Sequence, residues 1–205
     1  DIGNTMDSAW EIMTGVGEEE EAIAALEDAA VNGAATVDVS WRKLISYGVM
    51  GDTTSAWSEL RVYEDVVNTP ALLVPYRGSH LAMIFGQWER ARVLSAAHLR
   101  EARRTRSDAE QLVHLRNHAT ILHASGHHQE AEAILDEMVE ISRSVYTRAF
   151  NPIPVLAAYE NGLGYADAGD IEGLDRAIEA ITEARDVPGL DRRHSRYVYL
   201  LQAHR

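Results

Sequence analysis

Five glycines recur along the chain at near-regular intervals, and each is followed five residues later by a small residue or leucine. The pairs are Gly17–Ala22, Gly51–Ala56, Gly86–Ala91, Gly126–Ala131 and Gly169–Leu174, and the glycines are 34, 35, 40 and 43 residues apart. The flanks repeat as well. Nine residues after each glycine stand Leu26, Leu60, Ser95, Leu135 and Ile178. Four before stand Met13, Tyr47, Ala82, Leu122 and Tyr165, and seven before stand Trp10, Leu44, Ser79, Ala119 and Gly162. A periodicity of this length marks a supersecondary unit that buries its apolar face only against its neighbours.

The unit is built of helices. Ala22, Leu26 and Ala29 recur at i, i+4 and i+7, as do Ala56, Leu60 and Tyr63, and Ala131, Leu135 and Met138. That is the spacing of one helical face. No run of β-branched and aromatic residues alternates with period two over more than a few positions. Pro70, Pro75, Pro152, Pro154 and Pro188 are read as lying between helical segments. The fold class expected is therefore all-α. Leading helices are predicted over 5–15, 38–50, 71–85, 107–125 and 154–168, with partners over 18–32, 53–67, 88–105, 128–145 and 171–185. Ser107 and Asp108 carry a helix-start signal, and Pro188-Gly189 a break. Tyr197, Val198, Leu200 and Leu201 form one more apolar stripe beyond it.

The pattern resembles the tetratricopeptide repeat, a unit of two antiparallel helices with a glycine at the turn and a small residue early in the second helix. The glycine ends the first helix in a conformation that a Cβ would penalise. The small residue lets the second helix approach closely, and the bulkier residues before the glycine fill the seam. The resemblance implies an α-α superhelix forming one domain over 1–205. Five pairs are expected at roughly 5–36, 37–70, 71–106, 107–149 and 150–188, followed by a C-terminal helix over 189–205. Ser79 and Ser95 depart from the packing residues expected in the third pair, and the last two spacings imply longer helices or insertions.

In this family the leading helices line the concave surface, with inward residues about 13, 10, 9, 6 and 3 positions before the glycine. Those positions share one helical face. The first pair places Asn4, Asp7, Ser8, Glu11 and Thr14 there. The candidate site centres on the later pairs: Trp41 and Arg42; Tyr76, Arg77 and His80; Arg116, Asn117, Thr120 and His123; and Tyr159. Ile45, Met83 and Glu160 belong to the same inward sets. Arginine forks take carboxylates or phosphates bidentately. The resemblance thus implies a groove for an acidic peptide or protein segment, although the lysines usual in peptide clamps are absent. The opposing reading is that these arginines pair with Glu11, Asp38 or Glu160 inside the protein.

Charge sets the remaining bounds. The net charge is −13, and the basic residues are all arginine except Lys43. An acidic chain is a poor general binder of nucleic acid. Hydrophobic residues make up 46%, enough for a packed core, and no apolar run has the length of a membrane helix. Residues 1–41 hold ten acids and no Lys or Arg. Glu18 to Glu21 suit a helix N-terminus. Between 90 and 106, Arg90, Arg92, Arg100, Arg103, Arg104 and Arg106 face only Glu101. This stripe is read as a solvated face, or as a dock for the acidic N-terminal region of a second copy.

No constellation points to catalysis. There is no cysteine, nucleophile elbow or phosphate-binding loop. Gly162 and Gly164 in NGLGY fall mid-helix, where glycine permits close helix contact. His114 and His118 lie at i, i+4, with His123, His127 and His128 beyond. They are read as packing and capping residues that could respond to pH, with a metal or small-ligand sensor as the rival. No cofactor and no metal are expected. The chain begins at Asp1 without an initiator methionine or apolar leader, which is read as a segment of a longer protein. The expected role is a cytoplasmic peptide-binding segment of a larger bacterial signalling or transcriptional regulator. Self-association or scaffolding is the alternative.

Overall fold

The computed structural model describes residues 17–147, 151–183 and 191–205, the last segment with side chains from residue 196 onward. Among the described residues there are ten helices and no strand. They are α1 (Glu19–Val31), α2 (Thr36–Val49), α3 (Thr53–Val66), α4 (Pro70–Ile84), α5 (Trp88–Thr105), α6 (Asp108–Ala124), α7 (His128–Val145), α8 (Ile153–Ala168), α9 (Ile171–Glu183) and α10 (Asp191–Gln202). The expected leading helix over 5–15, and with it Asn4, Asp7, Ser8, Glu11 and Thr14, lies outside the described residues. The other nine helices read from periodicity are present, with ends within a few residues of those expected.

The turns form as the glycine spacing requires. Gly17, Gly51, Gly86, Gly126 and Gly169 have φ of 82°, 77°, 65°, 81° and 70°. These are left-handed values at which a Cβ is strained. The residues five positions on, Ala22, Ala56, Ala91, Ala131 and Leu174, are each 0% exposed. Other caps are side chains. Asp52 accepts from the Ser55 amide at 3.0 Å, and the Glu110 carboxylate accepts from the Ser107 amide and hydroxyl at 3.1 and 2.8 Å. Both satisfy groups that a helix end leaves unpaired.

One expectation on proline is corrected. Pro75 lies inside α4, not between segments. It takes one backbone donor from the helix, which continues through Tyr76 and Arg77. Pro70 and Pro154 sit in the first turns of α4 and α8, where a missing amide hydrogen costs nothing.

The chain divides into two compact units, Asp1–Leu94 and Ser95–Arg205. In the first, α1 packs on α2, α2 on α3, and α3 on α4, while α2 also meets α4. Leading helices of successive pairs thus lie side by side. The core joins Leu44, Ala56, Leu60, Tyr63 and Leu81, with Trp41, Ile45 and Trp57 packed against it. Ser79 keeps its expected register and is buried; its hydroxyl donates to the Tyr76 carbonyl at 2.7 Å.

The second unit repeats the arrangement. α6, α7, α8, α9 and α10 pack consecutively, and α6 also meets α8, as α8 meets α10. One core gathers Leu112, Leu115, Leu122, Leu135 and Met138, and another Val155, Leu174, Ile181 and Leu201. Buried Ser95 is matched by buried His118, whose Nδ1 lies 2.8 Å from its hydroxyl. A polar pair therefore occupies a seam where the repeat pattern expects apolar side chains. Gly162 and Gly164 act as the sequence suggests. A Cβ at Gly162 would meet Leu201 and Ala177, and one at Gly164 would overlap the His123 ring.

Candidate functional site in the first unit

In the first unit, α2 and α4 lie next to each other and present their inward faces to one cavity of about 410 Å³. It is lined by Trp41 and Ile45 from α2 and by Tyr76, Arg77, His80, Met83 and Ile84 from α4. Six of these seven occupy positions read as inward-facing from their distance to the turn glycine. Ile84, one residue past that register, is the one that reading missed.

The cavity has a charged centre on apolar walls. The Arg77 guanidinium lies flat enough over Trp41 to bring its carbon 3.3 Å from the ring centroid, with the Tyr76 ring at 5.2 Å. Cation–π contact of this kind fixes a guanidinium without spending its hydrogen-bond donors. Among the described residues no carboxylate pairs with Arg77, and its Nε is buried without an acceptor. His80 donates from Nδ1 to the Tyr76 carbonyl at 2.9 Å, and its ring meets the Tyr76 ring edge-on at 4.5 Å. These contacts hold both rings at the cavity wall.

Arg42 shares the predicted face but is turned back along its own helix. It donates to the Asp38 carbonyl at 2.9 Å and lies 3.9 Å from the Asp38 carboxylate. Lys43, the single lysine, is committed to structure. It bridges Glu27 of α1 at 3.0 Å and Glu59 of α3 at 3.6 Å. Burial works to lower its pKa, but the two carboxylates outweigh it and raise the value overall.

The inward-facing residues of the second unit are mostly engaged with one another. Arg116 donates from Nε and Nη2 to Glu160 Oε1 at 2.8 and 2.5 Å, and Thr120 donates to Oε2 at 3.2 Å. Glu160 is buried, its side chain 7% exposed against 49% for Arg116. Tyr159 stacks at a tilt on Tyr197, centroids 4.4 Å apart. Asn117 keeps a buried amide nitrogen without an acceptor. His123 bonds Asn161 and His128, each at 3.1 Å. Internal pairing is therefore realised at Arg42 and Arg116, while Arg77 alone of the three is stacked rather than paired among the described residues.

The histidines do not form the i, i+4 pair that the sequence offers. His114 Nδ1 lies 2.8 Å from Nε2 of His98, a residue the sequence reading passed over, and His118 turns to Ser95. Among the described residues no three His, Cys, Asp or Glu side chains gather as metal ligands. The arginine stripe along α5 and just past its end is largely neutralised. Arg92 pairs with Glu89, Arg103 with Glu137, Arg104 with Glu101 and Arg106 with Glu110, and Arg90 stacks on Trp57 at 3.4 Å. Glu89 and Glu110 lie just outside the stretch that looked basic, and Glu137 arrives from α7. No described helix is long and apolar enough to cross a membrane.

Helix pairs with left-handed glycines at their turns, small residues five positions on, and leading helices packed side by side define the architecture. The fold is tetratricopeptide-like. Two solved structures share it. A kinesin light chain-like protein of nearly identical TPR-like repeats from Podosopora anserina superposes with a TM-score of 0.66 at 16% identity, over 98% of this chain and 94% of that one. A tetratricopeptide repeat protein from Parabacteroides merdae gives 0.62 at 13% identity, over 98% of this chain and 71% of that one. No family model and no curated protein matches the sequence.

Proposed function

We propose that this tetratricopeptide-like chain is a protein-binding module, not an enzyme, and that its first unit captures an acidic peptide segment between α2 and α4. One observation carries the reading. Arg77 is held on Trp41 at the wall of an apolar cavity and has no carboxylate partner among the described residues. A guanidinium so placed offers donors to a ligand carboxylate, while Ile45, Met83 and Ile84 take an adjacent apolar side chain. The inward-facing arginine of the second unit is already neutralised by Glu160, so of the three inward-facing arginines Arg77 is the one without a carboxylate among the described residues.

On this reading the module reports whether its groove is occupied. The reading accordingly extends to a partner-sensing segment of a larger cytoplasmic signalling or transcriptional regulator. Self-association through the arginines between residues 90 and 106 is the weaker reading, because Glu89, Glu101, Glu110 and Glu137 already meet four of them.

The test uses fluorescein-labelled peptides in which one apolar residue is flanked by aspartate or glutamate, alongside the same peptides with asparagine and glutamine. Anisotropy should rise only with the acidic set and fall back as salt is added. Equal binding of both sets overturns the reading.

A further inference from the structure

His123 stands near the C-terminal end of α6, where α6, α7 and α8 converge, and it is buried. Its Nε2 lies 3.1 Å from Asn161 Oδ1 on α8, and its Nδ1 lies 3.1 Å from Nδ1 of His128, the first residue of α7. The ring fills space that Gly164 of α8 leaves by lacking a Cβ. The sequence dedicates a glycine, an asparagine and a second histidine to this one imidazole.

The hydrogen-bond partners fix its proton. An amide oxygen only accepts, so Nε2 of His123 carries the hydrogen. In the neutral ring Nδ1 is then bare and accepts from Nδ1–H of His128. A first added proton is tolerated: one of the two facing nitrogens still carries no hydrogen, so a single N–H···N bond persists between the rings. A second proton leaves two N–H groups and two positive charges facing each other at 3.1 Å, with no acceptor between them.

We propose that His123 and His128 form a proton-operated clasp under α8: at neutral pH their mutual hydrogen bond seats the His123 ring in the space at Gly164, and when both rings are charged their repulsion drives that ring off its seat and loosens α8, against the Asn161 bond that the charged ring keeps. The surrounding charges bear on it from every neighbouring helix. Glu132 on α7 and Glu160 on α8 favour the charged rings, but the first accepts from the Tyr165 hydroxyl at 2.7 Å and the second is taken by Arg116 and Thr120. His127 at the same turn is paired with Glu130 at 3.2 Å.

Burial is the largest influence on His123 and lowers its pKa, assisted by His128. Asn161, Glu132 and Glu160 pull the other way without overcoming it. A histidine whose folded value lies below its ordinary one, about 6.5, contributes stability above that pH and loses it as pH falls through the folded value. His114, beside His98, shifts in the same direction through burial and Arg106, against Glu110. Eight of the nine histidines lie in the second unit, and the first holds only His80. His114 and His123, both held below the ordinary histidine value, lie in the second unit.

Hydrogen exchange of the full chain, read by mass spectrometry at about pH 7.5 and about pH 5 and corrected for intrinsic rates, tests this. Amides of α8 should lose protection by about tenfold or more on acidification, while α2 and α4 keep theirs. His123→Gln should abolish the α8 response, and His114→Gln should leave it in place. An unchanged α8 response in His123→Gln, or none in the native protein, overturns the clasp. Should His123→Gln fail to fold, imidazole NMR of the native chain decides. His123 must be the Nε2–H tautomer and titrate below about 6.5; the other tautomer, or a higher value, overturns it.

Discussion

Arg116 on α6 closes on Glu160 of α8 with two hydrogen bonds to one carboxylate oxygen, joining residues 44 apart in the chain. The carboxylate is buried and the arginine half-exposed. Removing the arginine leaves the acid in a low-dielectric site with Thr120 as its remaining donor. Arg116→Ala should therefore cost about 1–3 kcal/mol in urea unfolding, discounted from a fully buried pair because solvent reaches the guanidinium. Adding Glu160→Leu should recover part of that loss. Strict additivity of the two losses would show that the pair does not interact.

Gly162 tests close packing against helix propensity. Alanine is the better helix former by about 1 kcal/mol, but its Cβ would lie 2.5 Å from Leu201 Cδ1 and 3.1 Å from the Ala177 Cβ. Leu201 is fully buried and has little room to move. Gly162→Ala should destabilise the second unit by about 1–3 kcal/mol. A variant as stable as the native chain in thermal unfolding would mean that α8 and α10 are not packed as described.

Gly126 poses the opposite case. Nothing lies near its missing Cβ, yet its φ is 81°. Gly126→Ala should still lose about 1 kcal/mol, from backbone strain alone. Gly126→Asn should lose less, because asparagine visits this region more readily. Equal stability of alanine and glycine, measured by urea midpoint, would contradict the turn geometry.

Lys43 spans α1 and α3 through two glutamates, and the Glu59 side chain is only 12% exposed. Lys43→Met should cost about 1–2 kcal/mol by leaving the Glu59 charge with only the Ser40 hydroxyl as donor, and Glu59→Gln in the same chain should relieve it. The measurement is chemical denaturation followed by tryptophan emission, since Trp41 and Trp57 both pack against the first unit's core. No relief from the second substitution would assign Lys43 a solvated role.

The helices and turns were legible because they are local. A glycine that must adopt positive φ, an alanine that must pass close to a neighbouring helix, and apolar residues three and four apart all act within one pair. The inward face was legible for the same reason, and six residues of the first unit's cavity follow from it. What lay beyond reach was pairing across helices. Position on a helix says which way a side chain leaves the backbone, not which neighbour its tip will meet. Hence His98 with His114, Asn161 with His123 and Glu137 with Arg103 had no sequence signal, and Arg42, on the inward face by register, folds back to Asp38. Pro75 was misplaced because a proline at the sixth position of a helix reads as punctuation when the surrounding turns are unknown.

The most direct measurement is of the cation on Trp41. A phage-displayed library of random peptides should be selected on the intact chain and its strongest binder titrated by calorimetry against the native protein, Arg77→Ala and Trp41→Ala. The expected binder is rich in aspartate or glutamate beside an apolar residue. Its affinity should fall about tenfold or more in Arg77→Ala, as loss of a charge-assisted hydrogen bond requires, and also in Trp41→Ala, while Arg116→Ala binds as the native chain does. Binders without acidic residues, or an acidic binder indifferent to Arg77→Ala, would contradict the assignment of this cavity as the recognition site.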